Sequence, residues 1–145
     1  MDKVLYLVRH GIVEKFPRVD YLHKSGLCFA ENLHNIIDRK KIDYIAIVAE
    51  KKRCEDTIDK IAKSNNLTPD SLTKKQFKAL VPYVNSLKYE TSIVCYGLRE
   101  KTELFEKFNI DFQNNTDILY EIIYKVNLTN DTYEEIPTGY SKRNI

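Results

Sequence analysis

Three short apolar runs punctuate the chain: Val4 to Val8 with the ring of Tyr6 inside it, DYIAIVAE over residues 43–50, and TSIVCYG over residues 91–97. Continuous apolar runs of this length predict strands covered on both faces, as in a parallel sheet. Between them the period changes. Ser25 to Lys41 carries Phe29, Ala30, Leu33, Ile36 and Ile37 at helical spacing, and Lys51 to Ser64 carries Cys54, Ile58, Ile61 and Ala62. A third helix is expected over Ser71 to Leu87, with Pro69-Asp70-Ser71 as its start signal, Phe77, Leu80, Val81, Val84 and Leu87 on its face, and Pro82 kinking or ending it. Glu100 to Phe108 reads as a short helix. From Ile118 onward, ILYEIIYKVNL and TYEEIP read as two strands joined by Thr129-Asn130-Asp131. Strands alternating with helices predict an α/β fold: three α/β/α layers, a mostly parallel sheet, and an antiparallel edge strand. No repeat or low-complexity linker divides residues 1–145, so one domain is expected.

Composition narrows the functional classes. Lys plus Arg is 23 against Asp plus Glu 21, a net +2, which lacks the basic footprint of a nucleic-acid binder. No apolar run approaches the ~20 residues of a membrane span, and no export leader precedes Val4. A cytoplasmic protein with neither nucleic-acid nor membrane partners is expected. Cys28, Cys54 and Cys95 are widely spaced and odd in number, which argues against a disulfide framework or a zinc site and for small core residues.

The chemistry gathers where the first apolar run stops. A doubly buried strand does not accommodate Arg9 and His10, so both should lie just past its carboxyl end, with Gly11 permitting the turn. Ligands of open α/β sheets bind at that end. Read alone, His10 is equally a capping histidine, Arg53 one of the solvated cations of EKKRCED, and Tyr96 a core tyrosine with its hydroxyl satisfied. His23 and His34 read as surface residues.

Taken together, LVRHG, the HKSG helix with Ala30 and Leu33, the IAIVAEKKRCEDTIDKIA element and IVCYG resemble the histidine phosphatase, or phosphoglycerate mutase-like, superfamily over most of the chain. Arg53 and Thr57 match the family's Ser-Pro-x-x-Arg-Ala element and its threonine; Ala49 and Glu50 replace its Ser-Pro. Tyr96 stands where the family has its second histidine. The resemblance implies that His10 attacks a phosphoryl group and carries it as phosphohistidine. Arg9 and Arg53 would grip the phosphoryl oxygens, with Tyr96 as a fourth contact.

This division of labour suits the side chains. Imidazole has an ordinary pKa close to 7 and attacks in its neutral form, while forked guanidinium donors match phosphate oxygens and keep their charge. The scheme requires no metal or other cofactor. A phenol at the second-histidine position donates one neutral hydrogen bond in place of a charged one. That difference slows the chemistry by roughly ten- to a hundredfold if it acts in the transition state. Glu50 and Glu14 are the candidate acids by position; the residue directly after Gly97, where the family can place an aspartate, is Leu98, followed by Arg99 and Glu100.

The expected function is therefore phosphate removal from a phosphomonoester or a phosphohistidine protein, weakened by the missing histidine. The alternative is a catalytically degenerate module that binds phosphate or regulates. The substrate partner is a phosphorylated small molecule or a phosphohistidine protein in the first case. Specificity would reside in the loops Ile12 to Tyr21 and Thr68 to Lys75.

Overall fold

The computed structural model describes residues 2–13, 22–37, 41–48, 51–80, 88–97, 100–111 and 116–141. Its strands are β1 (Val4–Arg9), β2 (Tyr44–Val48), β3 (Asp70–Leu72), β4 (Thr91–Tyr96), β5 (Ile122–Asn127) and β6 (Thr132–Pro137). Its helices are α1 (Lys24–Ile36), α2 (Lys51–Ser64), α3 (Lys74–Leu80) and α4 (Lys101–Lys107), with a 3-10 helix at Thr116–Glu121. The six strands form one sheet in the order β3-β2-β4-β1-β5-β6. The first four in that order run parallel, and β5 and β6 are antiparallel. This is the expected α/β architecture.

The alternation of side chains along each strand sorts the core into two layers. Val4, Tyr6 and Val8 of β1 pack with Phe29 and Leu33 of α1 and with Cys54, Ile58 and Ile61 of α2. Leu5 and Leu7 face the other way, toward Phe77 of α3 and Leu104 and Phe105 of α4. Two helices therefore cover each face, and β1 and β4 at the centre are buried almost throughout.

Several expectations need correction. Arg9 is the last residue of β1 rather than lying past it; only His10 and Gly11 lie beyond the strand. Ser71 and Leu72 do not start a helix. They belong to β3, whose Asp70, Ser71 and Leu72 pair with Ala46, Ile47 and Val48 and extend the sheet edge. The third helix starts later, at a reciprocal capping box: the Thr73 N–H donates to Gln76 Oε1 (2.9 Å) and the Gln76 N–H to Thr73 Oγ1 (3.2 Å). Thr68 to Lys75 is accordingly a strand and a helix start, not a free loop. Pro82 and the apolar positions 81, 84 and 87 lie outside the described residues.

The helix expected to reach Lys41 ends at Ile36, where the Ile37 N–H still bonds to Leu33 O but its backbone leaves the helical region. Ile118 to Glu121 form part of the 3-10 helix rather than a strand. The turn before β6 falls where expected, with Asn127 Oδ1 accepting the N–H groups of Thr129 and Asn130. Cys54 and Cys95 are core residues, but Cys28 is exposed on α1.

Candidate functional site

The parallel pairing of β1 with β4 sets Arg9 opposite Tyr96, and the His10 N–H donates to Tyr96 O (3.2 Å). Arg9, His10 and Tyr96 thus meet at the carboxyl rim of the sheet. All three are buried, His10 to 1% exposure. Register fixes this meeting, because a slip of one residue would turn Arg9 to the opposite face.

The imidazole of His10 has a defined orientation. Its Nδ1 lies 2.9 Å from Gly11 O, and a carbonyl only accepts, so Nδ1 carries the hydrogen. In the neutral ring, Nε2 is then the atom with the lone pair. Arg9 lies beneath the ring of Tyr120, with Cζ 3.9 Å from its centroid, and the same ring meets His10 edge-on at 6.0 Å. Tyr120 belongs to the 3-10 helix just before β5, which brings it to the same rim.

Gly11 is held from two sides. Its N–H donates to Thr57 Oγ1 (2.8 Å), and Thr57 Oγ1 donates to Arg53 O (2.7 Å). Thr57, fully buried on α2, therefore joins the turn after His10 to the first turn of α2, where Arg53 sits. On the other side, a Cβ on Gly11 would lie 2.9 Å from Gly26 Cα and O in α1. The two backbones touch only because both residues are glycine. His23 caps α1, accepting the Ser25 N–H at Nδ1 (3.1 Å), and its own N–H donates to Ile12 O (2.6 Å).

Tyr96 is held at the end of β4 by its surroundings. Its ring packs edge-on against Phe105 at 5.6 Å, and its hydroxyl is buried with no hydrogen-bond partner. Burial raises its pKa above the ordinary phenol value, opposed by the nearby charge of Arg9, so the hydroxyl stays protonated. It is a donor and not a charge.

The cavity beside His10 is small. Gly11, Ile12, Ser25, Gly26, Phe29, Tyr120 and Tyr140 enclose it with His10, and its volume is about 10 Å³. That is room for one water molecule. Arg9, Arg53 and Tyr96 do not line it. Arg53 is half-buried, and its tie to the turn after His10 is its backbone carbonyl, which accepts from Thr57 Oγ1. Glu14 and Glu50 lie outside the described residues. Among the described residues no group of three or more His, Cys, Asp or Glu side chains is placed to hold a metal ion. Nor is any described helix long and apolar enough to cross a membrane.

Sequence reading missed Tyr120 and Tyr140. Both come from segments whose hydrophobic pattern says only that a ring is buried, not that it reaches the rim.

No family model matches the chain, and no curated protein matches it in sequence. Solved structures do match in fold. The putative phosphohistidine phosphatase SixA from Nakamurella multipartitia is similar with a TM-score of 0.55 and 11% identity, over 93% of this chain and 94% of that one. The putative alpha-ribazole-5'-P phosphatase from Escherichia coli gives a TM-score of 0.61 at 11% identity, over 94% and 96%. A mycobacterial glucosyl-3-phosphoglycerate phosphatase gives 0.60 at 10% identity, over 93% and 97%. At such identities the likeness establishes the fold.

Proposed function

We propose that the chain is a phosphohydrolase of the histidine phosphatase kind, with His10 as the phosphoryl acceptor and a rate lowered by Tyr96. The observation that carries this reading is the bond from His10 Nδ1 to Gly11 O, which leaves Nε2 as the lone-pair atom of a buried ring that shares the Tyr120 ring with the Arg9 guanidinium. Nε2 forms a bond to phosphorus as the bond to the leaving group breaks, and the leaving group takes a proton. Water then attacks the phosphohistidine, releasing phosphate and restoring the neutral ring.

In this reading Arg9 and Arg53 of α2 hold the phosphoryl oxygens. The unpartnered Tyr96 hydroxyl, next to Arg9's charge, donates to one of them. A phosphomonoester or a phosphohistidine protein fits this chemistry. The second needs less help from an acid such as Glu14 or Glu50, because imidazole is a good leaving group.

A second reading, a module that grips phosphate without efficient turnover, is favoured by a neutral phenol in place of an imidazolium. Hydrolysis of p-nitrophenyl phosphate at mildly acidic pH separates the two. The first reading expects turnover that falls at least about a thousandfold in His10→Ala and rises roughly tenfold or more in Tyr96→His. Absence of turnover, with phosphate raising the melting temperature of wild type but not of Arg9→Ala, selects the second. Neither response rejects both.

A further inference from the structure

Tyr120 touches both of the groups at the heart of the phosphoryl reading. It comes from the 3-10 helix Thr116–Glu121, far along the chain from β1, and only 8% of it is exposed. The Arg9 guanidinium lies on the face of its ring, with Cζ 3.9 Å from the centroid. The His10 imidazole meets the same ring edge-on, the centroids 6.0 Å apart and the planes at 64°. One ring joins the two side chains.

The ring stands on a tied backbone. The Thr138 N–H donates to Glu121 O (2.9 Å) and Thr138 Oγ1 donates to Tyr120 O (2.9 Å), just past the pairing of Ile122 with Pro137 that begins the β5–β6 ladder. Thr138 is itself buried.

A long guanidinium side chain samples many rotamers, and holding it in one before an anion arrives lowers the cost of binding. The electron-rich face of a tyrosine attracts that cation, more strongly where water is excluded. A stacked guanidinium uses its face for the ring and keeps its in-plane N–H donors for an anion. The ring therefore orders Arg9 without competing for phosphate.

We propose that Tyr120 is a positioning residue of the phosphoryl site: its ring, shared with the His10 imidazole, holds the Arg9 guanidinium in one orientation before phosphate binds. The inference rests on the reading of His10 as phosphoryl acceptor. It gives Tyr120 no bond to substrate and no proton to transfer.

Two measurements separate this role from packing: the NMR order parameter of the Arg9 Nε–H group, and the Kd of inorganic phosphate by titration calorimetry. Tyr120→Phe keeps the ring and is expected to match wild type in both. Tyr120→Leu removes the ring, so Arg9 order is expected to fall and phosphate to bind about three- to tenfold more weakly. Tyr120→trifluorophenylalanine keeps the shape but strips the ring of its negative face, and is expected to fall below Tyr120→Phe in both measurements. It keeps the test decisive if Tyr120→Leu fails to fold.

Arg9 order and phosphate affinity that fall together uphold the role and the site. A fall in Arg9 order in a protein that binds no phosphate even as wild type upholds the hold on Arg9 and rejects the phosphoryl site. Unchanged Arg9 order in both ring-altered variants overturns the role whatever the affinity does, and so does a fall in order that leaves a measurable affinity as it was. In these last cases the phosphoryl site stands wherever the wild-type protein binds phosphate.

Discussion

Thr57 illustrates how one side chain fixes a site it does not touch. Its hydroxyl accepts from Gly11 and donates to Arg53 O, so the turn carrying His10 and the helix carrying Arg53 share one buried oxygen. Thr57→Val keeps the shape and removes both bonds, leaving the Gly11 N–H buried without a partner. The expected cost is about 1–3 kcal/mol, measured as a lower denaturant midpoint. As a positioning effect it should also weaken phosphate binding, and Thr57→Ser should restore both. An unchanged phosphate affinity in a destabilised Thr57→Val would reduce Thr57 to a packing residue. At this scale the meeting of Arg9, His10 and Tyr96 at the sheet's rim was legible, because each stands at the carboxyl end of an apolar run. Tyr120 was not, since its ring reaches Arg9 only after a 3-10 turn that the apolar run of ILYEIIYKVNL conceals.

Elements meet the rim through contacts of backbone on backbone. A Cβ on Gly26 would press on Ile12 O and stand 2.8 Å from Ile12 N. Inside a helix, Gly→Ala is ordinarily favourable by up to about 1 kcal/mol. Here the neighbour is main chain and cannot rotate away, so steric crowding decides the sign. Gly26→Ala is expected to destabilise by about 1–3 kcal/mol in a thermal or chemical melt, and a gain in stability would refute the close approach.

The same scale shows where periodicity misleads. The apolar positions after Asp70 fit a helical face, yet residues 70–72 serve as a strand because the edge of β2 offers backbone partners. The signal for the true helix start was present as Thr73-x-x-Gln76, a capping box standing three residues inside the expected helix. Ile118 to Glu121 failed for a related reason: an apolar run does not by itself distinguish a strand from a short helix.

The whole molecule carries a pH signature. Burial pushes the Tyr124 hydroxyl up to about 12, with the negative charge of Glu135 adding to it. Burial likewise raises Tyr96 and Tyr44, the latter helped by Asp70. Unfolded tyrosines ionise near ~10. Above that pH the unfolded chain loses protons that the folded chain retains, so stability is full below about pH 10 and falls as pH rises toward about 12. Denaturant midpoints should decline over this window. In an alkaline titration the ultraviolet absorbance of tyrosinate should show a late phase that coincides with loss of helical circular dichroism. Complete tyrosine ionisation in a chain that remains folded would contradict this burial.

By itself the sequence determined the layering and where the polar groups gather: three doubly apolar strands demand covering helices, and an apolar run that stops at Arg9 and His10 must put those groups at the rim. The tertiary structure alone decided how the cavity beside His10 is walled. Tyr120 and Tyr140 lie more than a hundred residues along the chain from His10, and they arrive there through the antiparallel turn-back of β5 and β6 and the bonds of Thr138. Hydrophobic period encodes which face of an element is buried, a local property. Which rings close over a given imidazole depends on strand order and register, which no local pattern contains.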